Sequence, residues 1–190
     1  MKKLYIIAGP NGAGKTTASY TILPEIFNCK EFVNADEIAS GISPFNSTSV
    51  SLQAGRVMLN RINELLEKGE TFALETTLST KSYVQFIKRA KTLGYEVTLL
   101  FLRLNSKNLA VERVKIRVEE GGHHIPELVI RRRFDNGLKN LFRLYIPLVN
   151  NWILVDNSTD KFKYIAKGVL DETVVGDKKV WNDLKNEYGN

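Results

Sequence analysis

The residues Gly9 to Thr17, GPNGAGKTT, set glycines, a lysine and two threonines at the spacing G-x-x-x-x-G-K-[ST], with Gly9, Gly14, Lys15 and Thr16 in the defining places. Glycine lets successive backbone N–H groups turn inward around a polyanion with no Cβ in the way. A helix starting at the same point adds its positive end. In this arrangement the Lys15 ammonium reaches the β- and γ-phosphates of a nucleoside triphosphate, and the Thr16 hydroxyl ligates Mg²⁺. The motif predicts ATP and Mg²⁺ as cofactors. The nucleotide contacts are Gly9, Asn11, Gly12, Ala13, Gly14, Lys15, Thr16 and Thr17, and Thr16 is the metal ligand. A chance glycine turn needs no particular flanks, whereas this motif requires a strand before it and a helix after it. LYIIA (4–8) and residues 15–22 read as those two elements.

Two acids fall where an open parallel sheet places its chemistry, at the carboxyl ends of strands. Asp36 follows the second strand in FVNADEIA, and Glu75 ends the third in FALETT. Phosphoryl transfer to a hydroxyl needs a carboxylate that orients the nucleophile and accepts its proton. Asp36 is the candidate base, with Lys15 as its catalytic companion; the competing reading is an N-cap for the helix at Glu37-Ile38. Glu75, Thr76 and Thr77 are candidates for binding acceptor hydroxyls or for orienting a Mg²⁺-bound water, against ordinary loop hydrogen bonding.

Charge spreads over the γ-phosphoryl oxygens in the transition state, which calls for guanidinium groups. Arg113 and Arg117 are four apart and share a helix face, and Arg131, Arg132 and Arg133 open the helix after the break GGHHIP. Together they predict a helical lid over about residues 110–135 that closes on the nucleotide and excludes water. Arg117 and Arg132 are the catalytic candidates and Arg131 a substrate contact; the competing reading is a solvated basic face with Arg131 paired to Asp135. His123 and His124 have no cysteine nearby to complete a zinc site and are read as loop residues, while Cys29, Trp152 and Trp181 are read as structural.

Elements that would carry these residues alternate along the chain. Strands are expected at LYIIA (4–8), EFVN (31–34), TFALETT (71–77), YEVTLLFLRL (95–104) and WILVD (152–156), the first four each followed by a helical pattern. In the helix after Pro126 the apolar positions Ile130, Phe134, Leu138, Leu141 and Tyr145 recur at three and four. KYIAKG and ETVVGD read as two short strands around Leu170-Asp171, followed by a short polar helix. Right-handed crossovers then give an α/β fold, a P-loop NTPase three-layer sandwich with a parallel sheet covered on both faces and a short C-terminal β-hairpin. Residues 1–190 are expected to form one domain.

Composition sets the outer limits. The 190 residues are 43% hydrophobic and 25% charged, ordinary for a folded soluble chain. A single cysteine excludes an internal disulfide. No stretch resembles a signal-peptide core or a membrane span, so a cytoplasmic location without membrane contact is expected. The net charge of +6 suits a phosphate-binding cleft and does not by itself argue for nucleic acid. An LSGGQ-like signature, an apolar strand ending in Asp-Glu and an NKxD motif do not occur. The residues favour a kinase acting on a hydroxyl of a small metabolite. A nucleic-acid 5′-hydroxyl kinase and a regulatory ATP-binding module remain as alternatives.

The ordered set GPNGAGKTT, FVNADEIA, SPFNSTSVSLQAGRVMLNRI, FALETTLST, RVKIRVEEGGHHIPELVIRRRF and VDNS, over residues 1 to 160, resembles the zeta toxin family of P-loop kinases, especially its short zeta toxin-like ATPase members. The resemblance implies a sheet order of 2-3-1-4-5, Asp36 as general base, and Glu75, Thr76 and Thr77 as substrate contacts. It also implies that Arg117 and one of Arg131 and Arg132 grip the phosphates. The implied acceptor class is a UDP-activated amino sugar phosphorylated on its 3′-hydroxyl, and the implied partner an antitoxin protein that blocks the ATP site. This chain is shorter than the well-studied toxins and lacks the extra helices expected to build their sugar pocket and antitoxin surface. Its SPFN loop and the segment Gln53–Arg56, with Arg56 as a substrate contact, are expected to shape a different pocket.

Overall fold

The computed structural model describes residues 1–122, 124–169 and 172–189. Strand β1 (Lys2–Ala8) lies inside the sheet, and Leu4 to Ala8 are buried, as a parallel strand covered on both faces requires. Strand β3 (Phe72–Thr76) pairs with it on one side and β4 (Tyr95–Arg103) on the other, both parallel, so Ala8 is level with Thr76 and Phe101. Strand β2 (Glu31–Val33) forms one edge against β3, and β5 (Asn151–Asp156) continues the sheet beyond β4. The order 2-3-1-4-5 is the one observed. Because β1, β2 and β3 end at the same side of the sheet, the glycine loop, Asp36 and Glu75 are gathered at one rim.

The C-terminal hairpin is present and joins the main sheet. Strand β6 (Lys163–Val169) pairs antiparallel with β5, and β7 (Glu172–Val175) pairs antiparallel with β6, extending the sheet to seven strands. The turn expected at Leu170-Asp171 lies outside the described residues.

Helix α1 (Lys15–Glu25) leaves the glycine loop and runs about a turn further than its apolar pattern suggests, through Pro24. Helix α2 (Ala35–Ile42) is followed by a 3-10 turn (Ser47–Val50) and α3 (Ser51–Lys68). Then come α4 (Tyr83–Thr92), α5 (Lys107–Glu119) and α6 (Glu127–Asn140), which passes into a π-helical turn (Leu141–Tyr145). Ile130, Phe134, Leu138, Leu141 and Tyr145 are all buried, so their three-and-four spacing marks the face that packs on the sheet. Helix α7 (Lys178–Tyr188) docks through Trp181, stacked on Trp152 with ring centroids 5.3 Å apart and planes 10° from parallel. Such a pair contributes about 1 kcal/mol beyond its burial. Among the described residues, no helix is long and apolar enough to cross a membrane.

Candidate active site

The glycine loop runs from β1 into α1. Gly12 and Gly14 have φ of +78° and +74°, the left-handed region in which side chains are strained. At Gly12 a Cβ would also stand 2.9 Å from the Ala110 carbonyl oxygen, so the loop is pressed against α5. Gly14 is the N-cap of α1 and offers no side-chain oxygen, which leaves the first amides of the helix to an anion. Lys15 Nζ donates to the Pro10 carbonyl at 3.1 Å and stands 3.6 Å from Glu75 Oε1. Its side chain is 8% exposed; burial pushes its pKa down, and the carboxylates of Glu75 and Asp36 oppose that.

Asn34 organises the acids. Its Nδ2 donates to Glu75 Oε2 at 2.9 Å and lies 3.3 Å from Thr16 Oγ1. Its Oδ1 accepts from the Asp36 backbone N–H at 2.8 Å, so Asn34, not Asp36, caps α2. The capping alternative for Asp36 is thereby corrected: Asp36 sits inside the first turn and its carboxylate is left for other work. Thr16 Oγ1 donates to Glu75 Oε2 at 2.9 Å. Burial pushes the Glu75 carboxyl above the usual range, against the pull of Lys15 and the Thr16 hydrogen bond.

Two cavities of about 180 Å³ each meet at this rim, and Asn11, Lys15, Asp36 and Glu75 line both. The first is completed by Gly12, Gly14, Thr16, Thr17, Arg113 and Arg117 and gathers the groups expected to take phosphate. The second is completed by Thr76, Thr77, Tyr83, Met58 and Arg133, beside Asn34 and Ala35. Glu75 with Thr16 is an oxygen pair of the hard type that Mg²⁺ takes alongside phosphate and water. Among the described residues there is no cluster of three or more His, Cys, Asp and Glu that would cage a metal unaided.

The expected residues divide accordingly. Asn11, Gly12, Gly14, Lys15, Thr16, Thr17, Asp36, Glu75 and Arg117 line the first cavity, and Thr76 and Thr77 the second. Gly9 and Ala13 shape the loop without lining either: Gly9 is packed against the Leu102 carbonyl, and the Ala13 carbonyl accepts from Asn157 Nδ2 at 2.8 Å.

Three arginine assignments are corrected. Arg132 is exposed and lines neither cavity, whereas Arg133 lines the second and reaches Asn11 Oδ1 at 3.4 Å. Consecutive helical residues point about 100° apart, so a run of three arginines cannot tell which one faces inward. Arg131 is held by Glu127 and Asn108, both at 2.9 Å, outside both cavities; Asp135, its partner in the competing reading, pairs instead with Lys107 at 2.7 Å. Arg56 is exposed on α3 and lines neither cavity.

The proposed lid is rooted in the core, since Ala110, Val111, Val114, Ile130 and Phe134 are buried. His123 lies outside the described residues. Sequence reasoning passed over Asn34, Tyr83 and the Arg113–Asn157 link, in which Arg113 Nη1 donates to the Asn157 carbonyl at 2.7 Å and so ties α5 to the VDNS segment and the glycine loop. The Asn in FVNADE was the one available signal, an Asx residue ahead of an acidic helix start.

A parallel sheet ordered 2-3-1-4-5, a glycine loop leading into α1, and acids at the neighbouring strand ends define a P-loop kinase. Residues 1–162 match the family model described as Zeta toxin, and the chain belongs to the zeta toxin family. A Haemophilus influenzae protein described only as uncharacterized is 31% identical over 143 residues, covering 70% of this chain and 98% of the relative. The structure of AvrRxo1-ORF1:-ORF2 with ATP superposes with a TM-score of 0.78 at 18% identity, over 97% of this chain and 63% of that one. This chain thus spans less than two thirds of that protein. The PezAT chromosomal toxin–antitoxin system of Streptococcus pneumoniae gives a TM-score of 0.66 at 20% identity, over 86% of this chain and 70% of that one. At these identities the likeness to the solved structures is one of fold.

Proposed function

We propose that the protein transfers the γ-phosphate of ATP to a hydroxyl group of a small metabolite, with Asp36 as the general base. The observation that supports this reading is the position of Asp36 on the wall common to the two cavities, with the phosphate-binding groups on one side and Thr76, Thr77 and Tyr83 on the other. A base there can touch an acceptor hydroxyl and face the phosphorus it attacks. The acceptor hydroxyl binds among Thr76, Thr77 and Tyr83, and as its oxygen bonds to phosphorus its proton passes to Asp36. Lys15 and Arg117 steady the negative charge of the phosphoryl oxygens, and Arg133 approaches from the acceptor side. Thr16 would hold Mg²⁺, with Glu75 orienting its shell; the ion supplies charge neutralisation at the phosphates.

The zeta toxin family suggests a UDP-activated amino sugar as acceptor, and the PezAT relative suggests an antitoxin partner. Both are proposals for this chain. The experiment is incubation of the protein with γ-labelled ATP and either UDP-activated amino sugars or a small-metabolite extract, followed by identification of the labelled product. The reading predicts a phosphorylated hydroxyl compound that forms only when acceptor is added. Labelled inorganic phosphate alone, whatever the acceptor pool, contradicts it.

A further inference from the structure

The loop after β3 has an unusual backbone. Leu78 is fully buried with φ of +52°, a left-handed conformation that costs a leucine on the order of 1 kcal/mol or more. Such a residue keeps this shape only where its surroundings impose it: the loop's own Thr76 Oγ1 accepts from the Leu78 N–H at 3.1 Å, and further contacts come from a single stretch of chain. Asn140, at the end of α6, is buried and donates Nδ2 to the Leu78 carbonyl at 2.7 Å. Gly137, one turn earlier, lies so close that a Cβ there would stand 2.7 Å from the Thr77 carbonyl oxygen. Tyr145, in the π-helical turn, donates its hydroxyl to the Thr80 carbonyl at 2.8 Å. Burial raises the Tyr145 pKa to about 12, so the hydroxyl keeps its proton throughout the working range. The loop's Leu78 and Thr80 carbonyls are thus held, and its Thr77 carbonyl closely approached, by one continuous helical segment.

The same segment reaches the glycine loop. Arg133 stands four residues before Gly137, on the same helix face, and contacts Asn11. One element therefore touches the glycine loop through Arg133 and the acceptor loop through Gly137, Asn140 and Tyr145.

We propose that Gly137, Asn140 and Tyr145 are positioning residues for phosphoryl transfer: they impose the strained Leu78 turn that presents Thr76 and Thr77 to the second cavity and fix its distance from the glycine loop. The assignment rests on the phosphotransfer reading, because only that reading makes the second cavity an acceptor site. None of the three lines either cavity, so their effect is carried through the loop.

The test uses the full chain, with Tyr145→Phe, which deletes one hydroxyl and keeps the ring, and Gly137→Ala, which forces the loop to shift. The reading is the ratio of labelled acceptor product to ATP hydrolysed, with the acceptor KM and the ATP affinity measured alongside, well below each melting temperature. Misplacing a reacting group by a fraction of an ångström costs about tenfold or more in transfer. The ratio is therefore expected to fall about tenfold in Gly137→Ala and by a smaller factor in Tyr145→Phe, with a raised acceptor KM and unchanged ATP affinity. A purely structural role would lower the melting temperature and leave the ratio alone. If Gly137→Ala fails to fold, Tyr145→Phe decides. An unchanged ratio in a folded variant, with wild-type protein making product, overturns the assignment alone; no acceptor product from wild-type protein overturns the function reading and the assignment with it.

Discussion

Asn34 and Glu75 are joined by a 2.9 Å hydrogen bond that crosses from the end of β2 to the end of β3, and the other end of the Asn34 amide caps α2 beneath Asp36. One side chain thereby sets the spacing of two acids that come from different strands. Asn34 is 5% exposed, so neither end of the amide has ready recourse to water.

Asn34→Ala is accordingly expected to lower stability by about 1–3 kcal/mol, from the lost cap and the lost partner of a buried carboxylate. Catalytic turnover should fall more than the stability change implies, because both acids lose their reference point. Thermal denaturation beside single-turnover transfer checks it; a destabilised protein with normal turnover would contradict the organising role.

Arg133→Ala should reduce transfer by about 10²-fold or more if its guanidinium meets developing phosphoryl charge, whereas Arg132→Ala should leave transfer near the wild-type level. Rates of the two variants at saturating ATP separate the helix faces. A larger loss in Arg132→Ala would restore the outward residue to the site.

Glu75 gives a pH signature. Its folded pKa is raised by burial, so the protonated form is favoured in the folded protein. Its contribution to stability is present at low pH and is lost as pH rises from the ordinary glutamate pKa through the raised folded value. Relative to Glu75→Gln, wild-type protein should therefore lose stability as pH rises through that window, and the difference should level off above it. Denaturant melts of both proteins across the acid range measure this; a difference that grows with pH would mean that Lys15, Thr16 and Asn34 outweigh burial.

How far the sequence went depended on how local each signal was. GPNGAGKTT names its own turn, because Gly12 and Gly14 must take positive φ and Lys15 and Thr16 follow at fixed spacing. Leu4 to Ala8 and the run Leu99 to Leu102 identified central strands because burial on both faces leaves no alternation. The choice among Arg131, Arg132 and Arg133 was illegible, since helix phase relative to the cleft is a tertiary property and all three residues are alike. Asn34 was hidden for a related reason: its partner Glu75 is 41 residues away and its cap role is shared with a catalytic-looking neighbour. The joining of β6 to β5 also rests on antiparallel pairing that no short pattern encodes.

The central claim is that Asp36 removes the acceptor's proton from its place between the two cavities. Its most direct measurement compares Asp36→Asn with wild-type protein for acceptor phosphorylation and for nucleotide binding. The account predicts loss of transfer by about 10²-fold or more with nucleotide affinity retained. Full transfer by Asp36→Asn would contradict it.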